Sequence, residues 1–308
     1  MTVQEAKLFG RNQLLNSPTP DLDTQVLLSH VTGLTKTQLL FKRETVLTQE
    51  QEKKFLSFVE KRKTRLPVAY ITGHKEFFGY DFTVTPSVLI PKPDTEILVE
   101  QGINAVKEKL HLHNISICDM CTGSGCVGIS ILKYCIQENI LSRETAPSLV
   151  LADISENALD IARQNASLLL EKELLEKVSF VRTNLFQNIN SSFDIIVSNP
   201  PYIPEQETAE LLQDGRMEPA LALNGDVTLQ GNPSSTKDGL AVMRNLVKQA
   251  VFHLNTKGIL LCESGEYNAL ETQQIFLNNG LEETEIFRDL EGQLRVTKGT
   301  CGCQIYQN

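Results

Sequence analysis

The chain has 308 residues, enough for one large α/β domain and one small one. Its 41% hydrophobic and 22% charged content is ordinary for a globular protein, and no apolar run is long enough to span a bilayer. A net charge of −9 without a basic block argues against tight, nonspecific duplex binding, which needs many phosphate-neutralising side chains.

The first 66 residues read as helices. Val3, Ala6, Phe9, Leu14 and Leu15 form a loose helical stripe that Ser17-Pro18-Thr19-Pro20 breaks. A second helix is expected over Asp21–Val31, with Gly33 at its end, and a short third over Lys36–Phe41. Thr48-Gln49-Glu50-Gln51 is a capping box that opens a fourth, running through Phe55, Phe58 and Val59 to Arg65. After Leu66-Pro67 the period changes. Glu76 to Val84 reads as two short strands around a glycine turn, and Ile90-Pro91-Lys92-Pro93 stiffens the chain ahead of a helix from Asp94 or Thr95. The expected organisation is a helical bundle over 1–66, a β-hairpin linker over 67–93 and an α/β domain over 94–308.

In that last part strands and helices alternate, the signature of a doubly wound, mostly parallel sheet. Strands are expected at Ile115–Met120, Leu149–Ile154, Val178–Val181, Asp194–Asn199 and Gly258–Cys262. A closing antiparallel pair is expected near Glu283–Arg288 and Gln293–Thr297. Helices are expected over Cys126–Cys135, after a Ser155 cap, around Leu240–His253 and over Ala269–Asn278.

Between the first strand and its helix, Gly123, Gly125 and Gly128 spell G-x-G-x-x-G, which lets a ligand approach backbone at a helix N-terminus. Asp153 ends the second strand, where a carboxylate can grip two ribose hydroxyls. These features alone suit an NAD enzyme equally well. Asp119, at the end of the first strand, could meet the ammonium of an amino-acid-bearing cofactor, or could simply cap the turn. Asp194 to Val197 runs into Ser198-Asn199-Pro200-Pro201-Tyr202, which carries no acid or base suited to hydride transfer.

Pro200 cannot continue a central strand, and the residue before a proline is held extended. Neither proline has an N–H, so the backbone here offers acceptors only. The Asn199 side-chain carbonyl and the Pro200 carbonyl could accept the two hydrogens of a planar amide or aryl amine, with the Tyr202 ring against its face. Two such acceptors would stabilise the positive charge that grows as the nitrogen attacks. S-adenosyl-L-methionine, with an amino acid tail, a ribose and a methyl on a sulfonium, suits both ends of this site. A tight turn after a strand is the plainer reading of the tetrad.

Cys118-Asp119-Met120-Cys121 also spells C-x-x-C, but no second pair follows at matching spacing. Cys301 and Cys303 are too close for a knuckle, and His111 and His113 only flank Leu112. No metal is expected. The seven cysteines lie mostly in apolar stretches and Met1–Lys7 lacks the apolar core of a leader, so a cytoplasmic location is expected.

With these residues assembled, the chain resembles the PrmC/HemK family, the glutamine N-methyltransferases of peptide chain release factors. Arg65 to Gly73 and Glu76-Phe77-Phe78-Gly79 are similar to the family's linker, and Ile90 to Glu96 to its proline-rich segment. Asp119 to Gly125 is similar to its cofactor loop, Asn199 to Tyr202 to its substrate tetrad, and Glu218 to Leu223 and Asp238-Gly239-Leu240 to the segments beyond. The tetrad is shared with adenine N-methyltransferases. The resemblance implies a seven-stranded Rossmann-like (class I) methyltransferase sheet with a small N-terminal helical domain for substrate recognition. It implies that Asp119, Cys121, Thr122, Gly123, Ser124, Gly125 and Asp153 hold S-adenosylmethionine, with Asn184 and Leu185 at the adenine and Asn199 near the methyl. Asn199, Pro200, Pro201 and Tyr202 would bind the glutamine, in the Gly-Gly-Gln loop of class 1 release factors, and no direct nucleic-acid substrate is expected. A ribosomal-protein glutamine and a DNA adenine are the alternatives. Cys121 stands where the family has Gly, Asn184 where it has Asp, and Val227–Lys237 resembles an insertion forming a surface loop.

Overall fold

Threonine hydroxyls open three of the first four helices. The structure, a computed structural model, describes residues 1–112, 114–213 and 217–302; His113 and Cys303, weighed above as metal ligands, lie outside the described residues. Helix α1 (Val3–Gln13) starts at Thr2; α2 (Pro20–Thr32) starts at a proline; α3 (Lys36–Phe41) and α4 (Gln49–Lys63) start at Thr35 and Thr48. Each of these threonines accepts the N–H three residues on, and Glu5, Gln38 or Gln51 returns the bond. A fifth helix, α5 (Val68–Thr72), lies within the stretch expected to be linker. Met1–His74, with Leu211–Met217, forms one compact unit. Its core gathers Val3, Leu27, Leu28, Phe55, Val59 and Ile71. Asp23, 6% exposed, is compensated there by the Arg62 guanidinium at 2.7 Å and by the Ser17 and Thr19 hydroxyls.

The second unit holds Lys75–Glu210 and Glu218–Asn308. A hairpin of β1 (His74–Phe77) and β2 (Tyr80–Thr83) buries Phe77 and Phe82 edge to face, 6.1 Å apart. A 3-10 turn at Pro93–Thr95 precedes α6 (Glu96–Glu108). There follow β3 (Ser116–Met120), α7 (Cys126–Gln137), β4 (Ser148–Asp153), α8 (Glu156–Leu169), α9 (Lys172–Leu175), β5 (Val178–Arg182) and β6 (Phe193–Ser198). After α10 (Glu205–Gln213) come α11 (Ala241–Ala250), β7 (Leu254–Glu263), α12 (Ala269–Asn278), β8 (Leu281–Arg288) and β9 (Leu294–Cys301).

Seven strands form one sheet in the order β5-β4-β3-β6-β7-β9-β8. All pairs are parallel except those made by β9. Every residue of β6 is buried, as expected for a central strand covered on both faces. One core contains Ile117, Ile129, Leu151 and Val197, and a second contains Cys118, Ile196, Leu246 and Phe276; alternate residues of β3 and β6 serve the two. Strand β7 begins at Leu254, earlier than Gly258, and its register against β6 shifts between Phe193 and Ile195. Helix α6 approaches α7 closely because Gly102 lacks a side chain, and a Cβ there would lie 2.4 Å from Ile131.

One buried amide ties the hairpin to the sheet's working end. Asn165 on α8, fully buried, accepts from Thr83 N–H at 2.7 Å and donates to the Thr83 and Ser124 carbonyls at 3.0 and 2.9 Å. Asn165→Ala leaves these backbone groups unpaired away from water and should cost about 3 kcal/mol. Urea unfolding should show a lower midpoint with an unchanged slope; an unchanged midpoint would show that the three bonds contribute nothing net.

Candidate active site

The chain reverses its direction across the sheet between β3 and β6, and in open α/β sheets ligands sit outside the carboxyl ends of strands at such a reversal. Register places Asp119 beside Val197 and Met120 beside Ser198, so the loops leaving the two strands start side by side. The Ser198 hydroxyl locks this register by donating to the Met120 carbonyl at 2.6 Å.

Asp119 is 1% exposed. One of its oxygens accepts from the Thr122 hydroxyl at 2.7 Å and from Gly128 N–H at 2.9 Å. The turn-capping reading and the cavity reading both find support, because the same residue also lines the cavity described below. Burial pushes its carboxyl up to about 7, against the Thr122 and Gly128 hydrogen bonds, which pull it down. Gly128 has to be glycine for space, since a Cβ would meet Leu151 at 2.8 Å and Asp119 at 3.0 Å. Gly125 caps α7 with φ 81°, where a Cβ would also press on Ile129 at 2.7 Å. Cys121 takes φ 61°, a left-handed conformation that costs a non-glycine residue about 1–2 kcal/mol. Asp153 accepts from Gly123 N–H and from Ser155 N–H, both at 2.9 Å, which fixes the loop to the end of β4. Burial raises its carboxyl above the ordinary value, opposed by those two backbone donors.

Above these strand ends lies a cavity of about 430 Å³. Asp119, Cys121, Thr122, Gly123, Ser124 and Asp153 form one side of it. Asn184 and Leu185 line it after β5, and Asn199 and Pro201 after β6. Gly125, Pro200 and Tyr202 do not line it. The sequence reading missed Val88, Leu89, Lys92 and Thr95 from the hairpin side, and Leu221 and Leu229 from the far side. No local motif marks these residues; the proline run at 91–93 and the Glu218-Pro219 pair were the available signals.

Asn199 Nδ2 donates to the Thr95 hydroxyl oxygen at 3.1 Å, which uses one of its two N–H groups and orients the amide, whose carbonyl oxygen is an acceptor. Pro200 is buried. The Tyr202 hydroxyl donates to Glu263 at 3.1 Å, and Asn268 donates to the Tyr202 carbonyl at 3.3 Å. Glu263, at the end of β7, is 1% exposed. Burial raises its carboxyl to about 7, while Thr95, Tyr202 and the charge of Arg295 lower it. Lys92 and Glu218 pair at 2.6 Å, and Glu218 is buried, which ties the proline-rich segment to the stretch after α10. Among the described residues, no group of three His, Cys, Asp or Glu side chains is placed to hold a metal ion.

Residues 95–223 match the family model of the methyltransferase small domain, and residues 5–73 that of the PrmC N-terminal domain. Sheet order, glycine loop and switch-point cavity thus belong to a Rossmann-like methyltransferase. The release factor glutamine methyltransferase of Haemophilus influenzae is 33% identical over 296 residues, covering 96% of this chain and 95% of that one. That of Clostridium acetobutylicum is 34% identical over 285 residues, 91% of each chain, and that of Agrobacterium fabrum 32% over 299 residues, 96% of each. The chain belongs to the release factor glutamine methyltransferase family.

Asp119 and Glu263 give the fold a specific pH signature. Both folded values, about 7, lie above the unfolded ones, so each contributes stability that is full below about pH 4 and lost as pH rises through about 7. Asp119→Asn and Glu263→Gln remove these titrations. Relative to the parent, each variant should therefore gain unfolding free energy between about pH 4 and about pH 7. Denaturant midpoints that shift in parallel with the parent across that range would show that the carboxyls do not titrate there.

Proposed function

We propose that the chain transfers a methyl group from S-adenosyl-L-methionine to the side-chain nitrogen of a glutamine, and that this glutamine lies in the Gly-Gly-Gln loop of class 1 peptide chain release factors. The observation that carries the reading is the Asn199 amide. One of its two N–H groups is held by Thr95, which orients the amide at the cavity wall, and its carbonyl oxygen is an acceptor. A glutamine amide supplies the matching N–H.

The donor set fits the cofactor. A buried carboxylate at the cavity wall, Asp119, suits an ammonium group, which would stabilise its ionised form. Asp153 keeps lone pairs beyond its two backbone donors for ribose hydroxyls. Leu185, Leu229 and Val242 give an apolar surface for a base, and Asn184 a polar edge. When bound, the cofactor supplies a methyl carried on a sulfonium. The chain's own residues then act by placement. Asn199 accepts one amide hydrogen, and the Pro200 carbonyl is assigned the other. Tyr202, its hydroxyl tied to Glu263, offers a fixed ring to the amide plane. Charge growing on the attacking nitrogen strengthens the bond to Asn199, so the contribution is to the transition state. A protonated N-methylamide is acidic enough to lose its surplus proton to water, so no side chain at the tetrad need serve as base. The helical unit ending at His74 is assigned to recognition of the protein substrate.

The direct test offers labelled cofactor together with a release factor, a ribosomal protein and duplex DNA. Label should appear in the release factor, on glutamine. Label on DNA adenine or on the ribosomal protein alone would replace this reading with one of its rivals. At the residue level, Asn199→Ala should lower single-turnover methylation about 100-fold, the scale for one oriented catalytic hydrogen bond, with a smaller change in cofactor affinity. An Ala variant that melts like the parent and methylates at the parental rate would remove Asn199 from the mechanism.

A further inference from the structure

Residues 227–237 are a tied structure. Asp226, fully buried, accepts Gly239 N–H at 2.8 Å on one oxygen and Glu205 N–H at 3.0 Å on the other, which closes the base of the loop. Gly225 and Gly239 press together and onto the acceptor tetrad. A Cβ on Gly225 would sit 1.9 Å from the Gly239 carbonyl oxygen, and one on Gly239 2.2 Å from that of Tyr202. Within the loop Val227 bridges Pro233, Thr228 N–H donates to the Asn232 carbonyl and Gly231 N–H to the Thr228 carbonyl, both at 2.8 Å.

The other end of the loop reaches across the cavity. Asn184 Nδ2 donates to the Leu229 carbonyl at 2.6 Å, and the Leu229 side chain packs against the core cluster that contains Leu185 and Phe186. Val227, Thr228, Leu229 and Gly231 all line the cavity. A carbonyl only accepts, so the Asn184 nitrogen must face it, leaving the Asn184 oxygen for a ligand. Aspartate in the same shape could not make this bond, because an ionised carboxylate has no hydrogen to donate.

We infer that residues 227–237 form a strap over the cofactor cavity, pinned at its base beside Tyr202, and that Asn184 is its latch. Asn184 is then a positioning residue that acts on the bound cofactor through the strap. The inference rests on the reading of this cavity as the S-adenosylmethionine site. Its consequence is kinetic as well as energetic: cofactor entry and product exit require the Asn184–Leu229 bond to open.

A double-mutant cycle on the full chain tests it. Binding and dissociation of S-adenosylmethionine and of S-adenosylhomocysteine are measured for the parent, for Asn184→Asp, for a chain with residues 228–235 replaced by Gly-Gly, and for the combination. Asn184→Asp should weaken binding about tenfold, the scale of one hydrogen bond, mostly through faster dissociation. The shortened chain should show a similar loss, and adding Asn184→Asp to it should change affinity less than about twofold, because coupled residues are not additive. An equal tenfold loss in both backgrounds would mean that Asn184 acts on the ligand alone and would overturn the strap. So would parental dissociation from the shortened chain. Melting curves report folding of each variant; if the shortened chain does not fold, deletion of residues 229–231 alone, which removes the carbonyl that Asn184 bonds, completes the same cycle with the same expectations. A parent that binds neither ligand would instead refute the cofactor reading, and the strap's role with it.

Discussion

The carboxylate of Asp119, shut away from water beneath the glycine loop, is the interaction on which the site's shape depends. An isolated buried charge is expensive, and this one is offset by a hydroxyl and a backbone N–H from the loop it supports. The arrangement works in both directions. Thr122 and Gly128 lower the cost of the carboxylate, and the carboxylate holds a loop in which Cys121, Gly123 and Gly125 all have positive φ. The elevated proton affinity is the residue of that incomplete compensation. A cation arriving from the cavity would supply what is missing, which is how a fold cost becomes binding energy.

The acceptor tetrad shows the complementary strategy. Its own chemistry is minimal, an amide and two proline carbonyls, and its precision is borrowed from other segments. Thr95 directs the Asn199 amide, Glu263 fixes the Tyr202 hydroxyl, and Gly225 and Gly239 allow backbone to press against Tyr202. Each comes from a different stretch of the chain, brought together where β3, β6 and β7 end. Rigid side chains of this kind are what positioning catalysis requires, since a small misplacement of the amide would forfeit much of the rate.

The alternation of strands and helices was legible because a central parallel sheet needs apolar runs, and Ile195–Val197 in β6 supplies one. The capping box at Thr48 and the helix over Ala269–Asn278 were equally plain. Helix α10 was not read: Glu205, Glu207 and Glu210 with two glutamines leave no apolar stripe of useful length. Helix α5 is only five residues and follows a proline, so it read as linker. At the site, the glycine loop, Asp153, Asn184 and Asn199 could be placed from strand ends and from family resemblance. Thr95 and Glu263 could not, because an orienting residue has no motif of its own and is defined by what it touches. The stretch 227–237 read as a surface loop because its Gly, Asn, Pro and Ser content signals turns; composition carries no information on which wall a turn will close.

The pairing of β3 with β6 also bears on how the chain is made. Ser116 and Asp194 hydrogen-bond across this seam although 78 residues separate them. At about 5–20 residues per second, a ribosome that has released β3 needs roughly 4–16 s more to deliver its partner. Through that interval the edge of β3 that will pair with β6 has no strand beside it, an exposure that invites pairing with other nascent chains. The Met1–His74 part of the helical unit is made before β3 is synthesised. The growing polypeptide thus carries most of its helical unit in front of a strand that waits for its partner.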